Sequence, residues 1–291
     1  MNVKISFANN PFVFHFKAKT VMKLLKRYSF FSHPGKRVCS FDVEFTKNSN
    51  LPLMPVITEK KSIVAFRRKD FDCVFDETRN EGLLRVNPRL QSFDSFLRVF
   101  LSWYLIRNSG FLVHAASAVI NGRGYLFVGK SGAGKSTISK MMIKELGEKK
   151  FPLLTPPYTL YPIVLTDELS IVRIIGDKIR IYPSPFWGEM KNPRYETGAG
   201  GKNELEDLKE GVDLARIFFL KKSRKNKILS SPDRESYKNM LKCVMNFSKN
   251  KYAALNLMRS LSTILERIES SKLYFSKTGI FGELWRGQAC K

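Results

Sequence analysis

"GYLFVGKSGAGKSTISK", Gly124 to Lys140, decides the reading of this chain. An apolar run, Tyr125 to Val128, leads directly into Gly129-Lys130-Ser131-Gly132-Ala133-Gly134-Lys135-Ser136, which fits G-x-x-x-x-G-K-[ST] at every position. Glycines let the backbone bend until successive N–H groups face one point, and the helix that follows adds its positive end. That arrangement suits phosphate. Lys135 is placed to reach the β- and γ-phosphates of a nucleotide and the Ser136 hydroxyl to ligate Mg2+. With Thr137, residues 129 to 137 are the expected ATP-binding set. Strand, loop and helix follow in the order the motif requires.

"YPIVLTDE", ending in Asp167 and Glu168, is the natural second half: an apolar strand that stops on two acids. Asp167 beside the loop can hold Mg2+ directly or through water. It can also accept a proton from a substrate hydroxyl, as a kinase base does, while Glu168 shares the metal or polarises a water, as in hydrolysing ATPases. Both chemistries need a carboxylate there, so these residues alone leave transfer and hydrolysis open.

Bulk composition narrows the field less. The formal net charge of +24 draws anions. The excess is spread, with 19 Lys+Arg against 9 Asp+Glu in residues 1–110 and 31 against 17 in 111–291. Its densest cluster, "KKSRKNK" from Lys221, reads as a solvated turn. No recognition motif for nucleic acid accompanies it, so nucleic acid is not an expected partner. Cys39, Cys73, Cys243 and Cys290 form no C-x-x-C pair, which argues against a disulfide framework and a zinc site. The N-terminal stretch lacks a signal-peptide core, and the longest apolar run, from Phe100, is too short for a bilayer. The expectation is a cytoplasmic protein with no membrane partner.

Along the chain, short alternating segments ("VKISF", "FVFHF", "SFDVEF", "SIVAF", "CVF") predict small sheets with one buried face. Phe93, Phe96, Leu97, Phe100, Leu101, Tyr104 and Leu105 recur at helical spacing and predict an amphipathic helix ending near Gly110. That glycine marks the expected boundary: an α+β domain over 1–110, a recognition or assembly module, and an α/β domain over 111–291. In the second, Asn121-Gly122 predicts a tight hairpin turn. Gly176-Asp177 predicts another, and "LARIFFL" a buried strand. Helices are expected after Ser231-Pro232 and through "YAALNLMRSLSTILERI", with "KLYFS" as a last strand. The stretch Lys149 to Pro162 reads as a surface excursion. "TGAGGKNE", Thr197 to Glu204, reads as a glycine-hinged flap or a plain loop.

"LVHAASAVINGRGYLFVGKSGAGKST" resembles the catalytic domain of the HPr kinase family, bacterial serine kinases related to phosphoenolpyruvate carboxykinase. In that family a histidine precedes the loop across a strand hairpin; His114 stands 15 residues before Gly129. An acid pair at a later strand end matches Asp167 and Glu168. "SPFWGE", Ser184 to Glu189, is similar to a motif of the diverged relatives. The resemblance covers about residues 90 to 291 and implies a P-loop kinase core with a smaller N-terminal α+β domain. It further implies Mg2+-dependent transfer of the γ-phosphoryl of ATP to a hydroxyl, with serine of a small protein or peptide as the expected acceptor. It places Asp167 as base and metal ligand with Glu168 beside it. His114 tunes the carboxylate, contacts phosphate or simply packs; Glu189 is a supporting or substrate-orienting acid or a solvated end. No counterpart of the family's basic proline-rich loop is found, so HPr as acceptor and the family's hexamer are not carried over; a homo-oligomer stays open. Against this kinase expectation stands a P-loop ATPase or nucleotide-dependent switch with no phosphoryl acceptor.

Overall fold

A computed structural model describes residues 1–17, 27–33, 35, 38–47, 50–147, 163–190 and 207–277. The excursion at 149–162 and the glycine-rich stretch at 197–204 lie outside the described residues. The fold mixes helices and sheets, as expected for its class. Contacts divide the chain into two compact units. Met1–Phe111, Pro193–Glu210 and Asn246–Leu257 make the first; Leu112–Asn192, Gly211–Met245 and Met258–Lys291 make the second.

The first unit is built on a seven-stranded sheet. Its strands are β1 (Asn2–Phe7), β2 (Asn10–Phe16), β3 (Cys39–Phe45), β4 (Val56–Lys60), β5 (Ile63–Arg68), β6 (Phe71–Asp76) and β7 (Glu81–Val86), in the spatial order β1-β2-β3-β7-β6-β5-β4. β3 pairs in parallel with both β2 and β7, and the other neighbours are antiparallel. Helix α1 (Leu90–Arg107) carries Phe93, Phe96, Phe100 and Trp103 at three- and four-residue intervals, all buried. They meet the phenylalanines of the inner sheet face. Phe100 lies 5.0 Å from the ring of Phe41, 5.5 Å from Phe66 and 5.4 Å from Phe75. Edge-to-face rings at such distances add specific geometry to the apolar burial.

The second unit holds β8 (Gly110–Ile120, begun in the first unit), β9 (Arg123–Val128), α2 (Lys135–Gly147), β10 (Ile163–Thr166), β11 (Leu169–Ile175), β12 (Lys178–Tyr182) and β13 (Val212–Lys222). After these come β14 (Lys227–Ser230), α3 (Asp233–Leu241), β15 (Val244–Met245), α4 (Lys251–Arg267, begun in the first unit) and β16 (Ser270–Phe275). The nine strands follow the order β10-β8-β11-β12-β13-β16-β14, with β9 paired to β8 and β13 and β15 paired to β8. Asn121 and Gly122 turn β8 into β9 with φ of 52° and 71°, the left-handed geometry their types tolerate.

Direction matters most here. β8 is antiparallel to both β9 and β10, so β9 and β10 run the same way. β9 is parallel to β13, and β13 to β16. The carboxyl ends of β9 and β10 therefore share one edge of the sheet, the edge where open α/β sheets usually bind ligands.

Candidate functional site

The glycine loop leaves β9 at that edge. Gly129 is buried, and a Cβ on it would stand 2.5 Å from the Ala133 Cβ, so the two sides of the loop approach as only glycine permits. Gly134 has φ +99°, and a Cβ there would meet the Phe275 ring at 2.5 Å. Lys130, Ser131 and Gly132 are exposed, while Ala133, Lys135, Ser136 and Thr137 are half-buried. α2 begins at Lys135, putting its unpaired N-terminal amides at the loop. The helix is anchored from below by Ile138, Met141 and Met142, in a cluster with Phe127, Phe218 and Phe275.

The Lys135 ammonium is held across the loop, donating to the carbonyls of Gly129 (3.0 Å) and Lys130 (3.1 Å). Burial pulls its pKa below the ordinary lysine value, against opposing fields from Cys243, Glu168 and Asp167. Both expected carboxylates thus lie within electrostatic reach of the expected phosphate lysine.

His114 and Ala115, in the middle of β8, stitch the edge together. The His114 carbonyl accepts from the Gly129 N–H (3.1 Å), and its own N–H donates to the Cys243 carbonyl (2.8 Å). The Ala115 N–H donates to the Glu168 carbonyl (3.2 Å), and its carbonyl accepts from the Ser170 hydroxyl (3.0 Å). One dipeptide therefore borders the loop, the acid pair and the corner after α3. That corner brings Cys243, whose thiol burial pushes up in pKa against the charges of Lys135, Lys130 and Lys242. Its local sequence gives no sign of this placement, because the neighbourhood depends on β15 pairing with β8.

The two acids have different surroundings. Asp167 is 1% exposed, and both its oxygens are engaged. Oδ1 accepts from Gly188 N–H (2.8 Å), and Oδ2 from the N–H groups of Glu189 (3.1 Å) and Met190 (3.2 Å). Glu168 is half-buried. Glu189 projects outward and pairs with Lys140 of α2 at 2.9 Å, both side chains mostly exposed. Phe186 is fully buried, and Trp187 packs against the cluster beneath α2.

Among the described residues, no group of three or more His, Cys, Asp or Glu gathers around one point. A cation here would be shared between Ser136 and nucleotide phosphates, the usual way Mg2+ is held. Ser136 fits that part. Asp167 is buried and already accepts from three amides, leaving about one of its acceptor positions for a cation; Glu168 is the more exposed of the pair. No protein-family model matches the chain, and no curated protein matches it. Among the described residues no helix is long and apolar enough to cross a membrane.

Proposed function

We propose that the chain is an ATP-dependent kinase with a P-loop core of the HPr kinase type, acting on a hydroxyl of a small protein or peptide. One observation carries the reading: the 129–136 loop with Lys135 and the acid pair 167–168 end on the same sheet edge, bound together through His114 and Ala115. Loop amides and the α2 N-terminus bind the phosphates, and Lys135 neutralises charge on the terminal pair. Ser136 would hold Mg2+ together with the nucleotide, and the ion would supply neutralisation of phosphate charge. The acceptor oxygen bonds to the γ-phosphorus as the bond to the β–γ bridging oxygen breaks, and ADP leaves. The hydroxyl proton goes to a carboxylate. We give that role to Glu168 rather than to the buried Asp167, whose carboxylate already accepts from three amides, because Glu168 is the partly exposed member of the pair.

Incubation of the full chain with γ-labelled ATP, Mg2+ and serine peptides encoded by neighbouring genes tests this. The expected result is acceptor labelling that Lys135→Ala and Glu168→Gln each reduce by about a hundredfold or more. Label released only to water with every acceptor, still lost in Glu168→Gln, would instead establish the hydrolytic alternative.

A further inference from the structure

Asp167 is buried, and three backbone amides converge on its carboxylate. A carboxylate out of water is costly unless hydrogen bonds replace its hydration, and three backbone N–H groups do so here. Those donors are consecutive, Gly188 to Met190, and belong to the turn that follows β12. Neighbouring contacts hold the same turn. The Thr166 hydroxyl donates to the Phe186 carbonyl at 2.5 Å and accepts from the Glu168 N–H at 3.1 Å. The Phe186 N–H donates to the Ser184 hydroxyl at 3.2 Å. Gly188 passes so close that an added Cβ would stand 3.2 Å from Asp167 Oδ2. On its far side the turn reaches α2 twice, through Trp187 on the cluster of Ile138, Met141 and Met142 and through the Glu189–Lys140 pair. That exposed pair is weak, so the buried carboxylate is the principal tie.

We infer that Asp167 is a positioning residue: its carboxylate fastens residues 186–190 between the end of β10 and the nucleotide helix, making them a fixed wall beside Glu168 against which an acceptor must lie. The role of that wall in acceptor binding rests on the kinase reading; the fastening does not.

Two variants of the full chain separate these statements. Asp167→Asn keeps the shape but turns one acceptor oxygen into a donor facing N–H groups. Gly188→Ala leaves the carboxylate intact and presses on it. Amide hydrogen exchange at 188–190 is expected to rise about tenfold or more in both. Calorimetry with ADP and Mg2+ is expected to give affinities within about threefold of the parent, with the Mg2+ dependence kept. The pH profile of ATP turnover should keep its shape.

Unchanged exchange at 188–190 overturns the inference. So does loss of the Mg2+ dependence in Asp167→Asn, which would make the residue a metal ligand, or loss of a pH limb, which would make it the base. If Asp167→Asn does not fold, exchange in Gly188→Ala decides the fastening. A parent chain that binds no Mg·ADP defeats the kinase reading while leaving the exchange result to stand or fall by itself.

Discussion

The two compact units spend their residues differently. In the first, phenylalanines from α1 and the sheet interlock ring against ring, and the polar groups mostly serve to tie edges: Glu59 accepts from Trp103, Arg107, Ser248 and Asn250. In the second, one sheet edge concentrates glycines, an amine whose pKa burial lowers, and a carboxylate enclosed by amides. The lesson is that ring-on-ring packing and the candidate site separate along this chain. Changes in the first unit should act on stability, and changes at the edge should act on ligand.

The largest effect that could break this contrast is expected from Phe100→Ala. Removing a ring with at least five aromatic neighbours should cost about 3–5 kcal/mol in urea unfolding, leaving nucleotide affinity of the folded fraction unchanged. Affinity that falls along with stability would mean that the units are not energetically distinct. Gly129→Ala should do the reverse. Its Cβ forces the loop apart at Ala133, so Mg·ATP affinity should drop about thirtyfold or more while unfolding shifts by only about 1–2 kcal/mol.

The smallest effect sharpens the first unit's account. Burial raises the pKa of Glu77 above the ordinary carboxylate value; Arg107 opposes this and Glu59 adds to it. A carboxyl whose folded pKa is raised penalises the fold at pH above that value and ceases to do so below the unfolded value of 4.5. Glu77→Gln should therefore raise the melting temperature slightly at pH 7 and have no such effect near pH 4, as paired thermal melts would reveal.

Much of this contrast can be read in the sequence where the cause is local. The spacing from Phe93 to Leu105 is the face of α1, and Asn121-Gly122 is the hairpin turn, because each depends on neighbours in the chain. "EGLLRV" is harder to read: Gly82 looks like a breaker, yet it lies within β7 because the Phe41 ring passes where a Cβ would be, at 2.8 Å. β4 is similarly hidden, since Glu59 turns inward to partners as distant as Ser248 and Asn250. At the site, the glycine loop announces itself through backbone demands that only its own residues meet. The surroundings of Asp167 do not, because its three donors arrive from a turn 21 to 23 residues later.

Titration of Mg·ATP into the full chain and into Lys135→Ala tests the central claim most directly. One-to-one binding in the micromolar range is expected for the parent chain, weakened about a hundredfold when the ammonium is removed. No heat at millimolar nucleotide, or equal affinity in the two proteins, would contradict it.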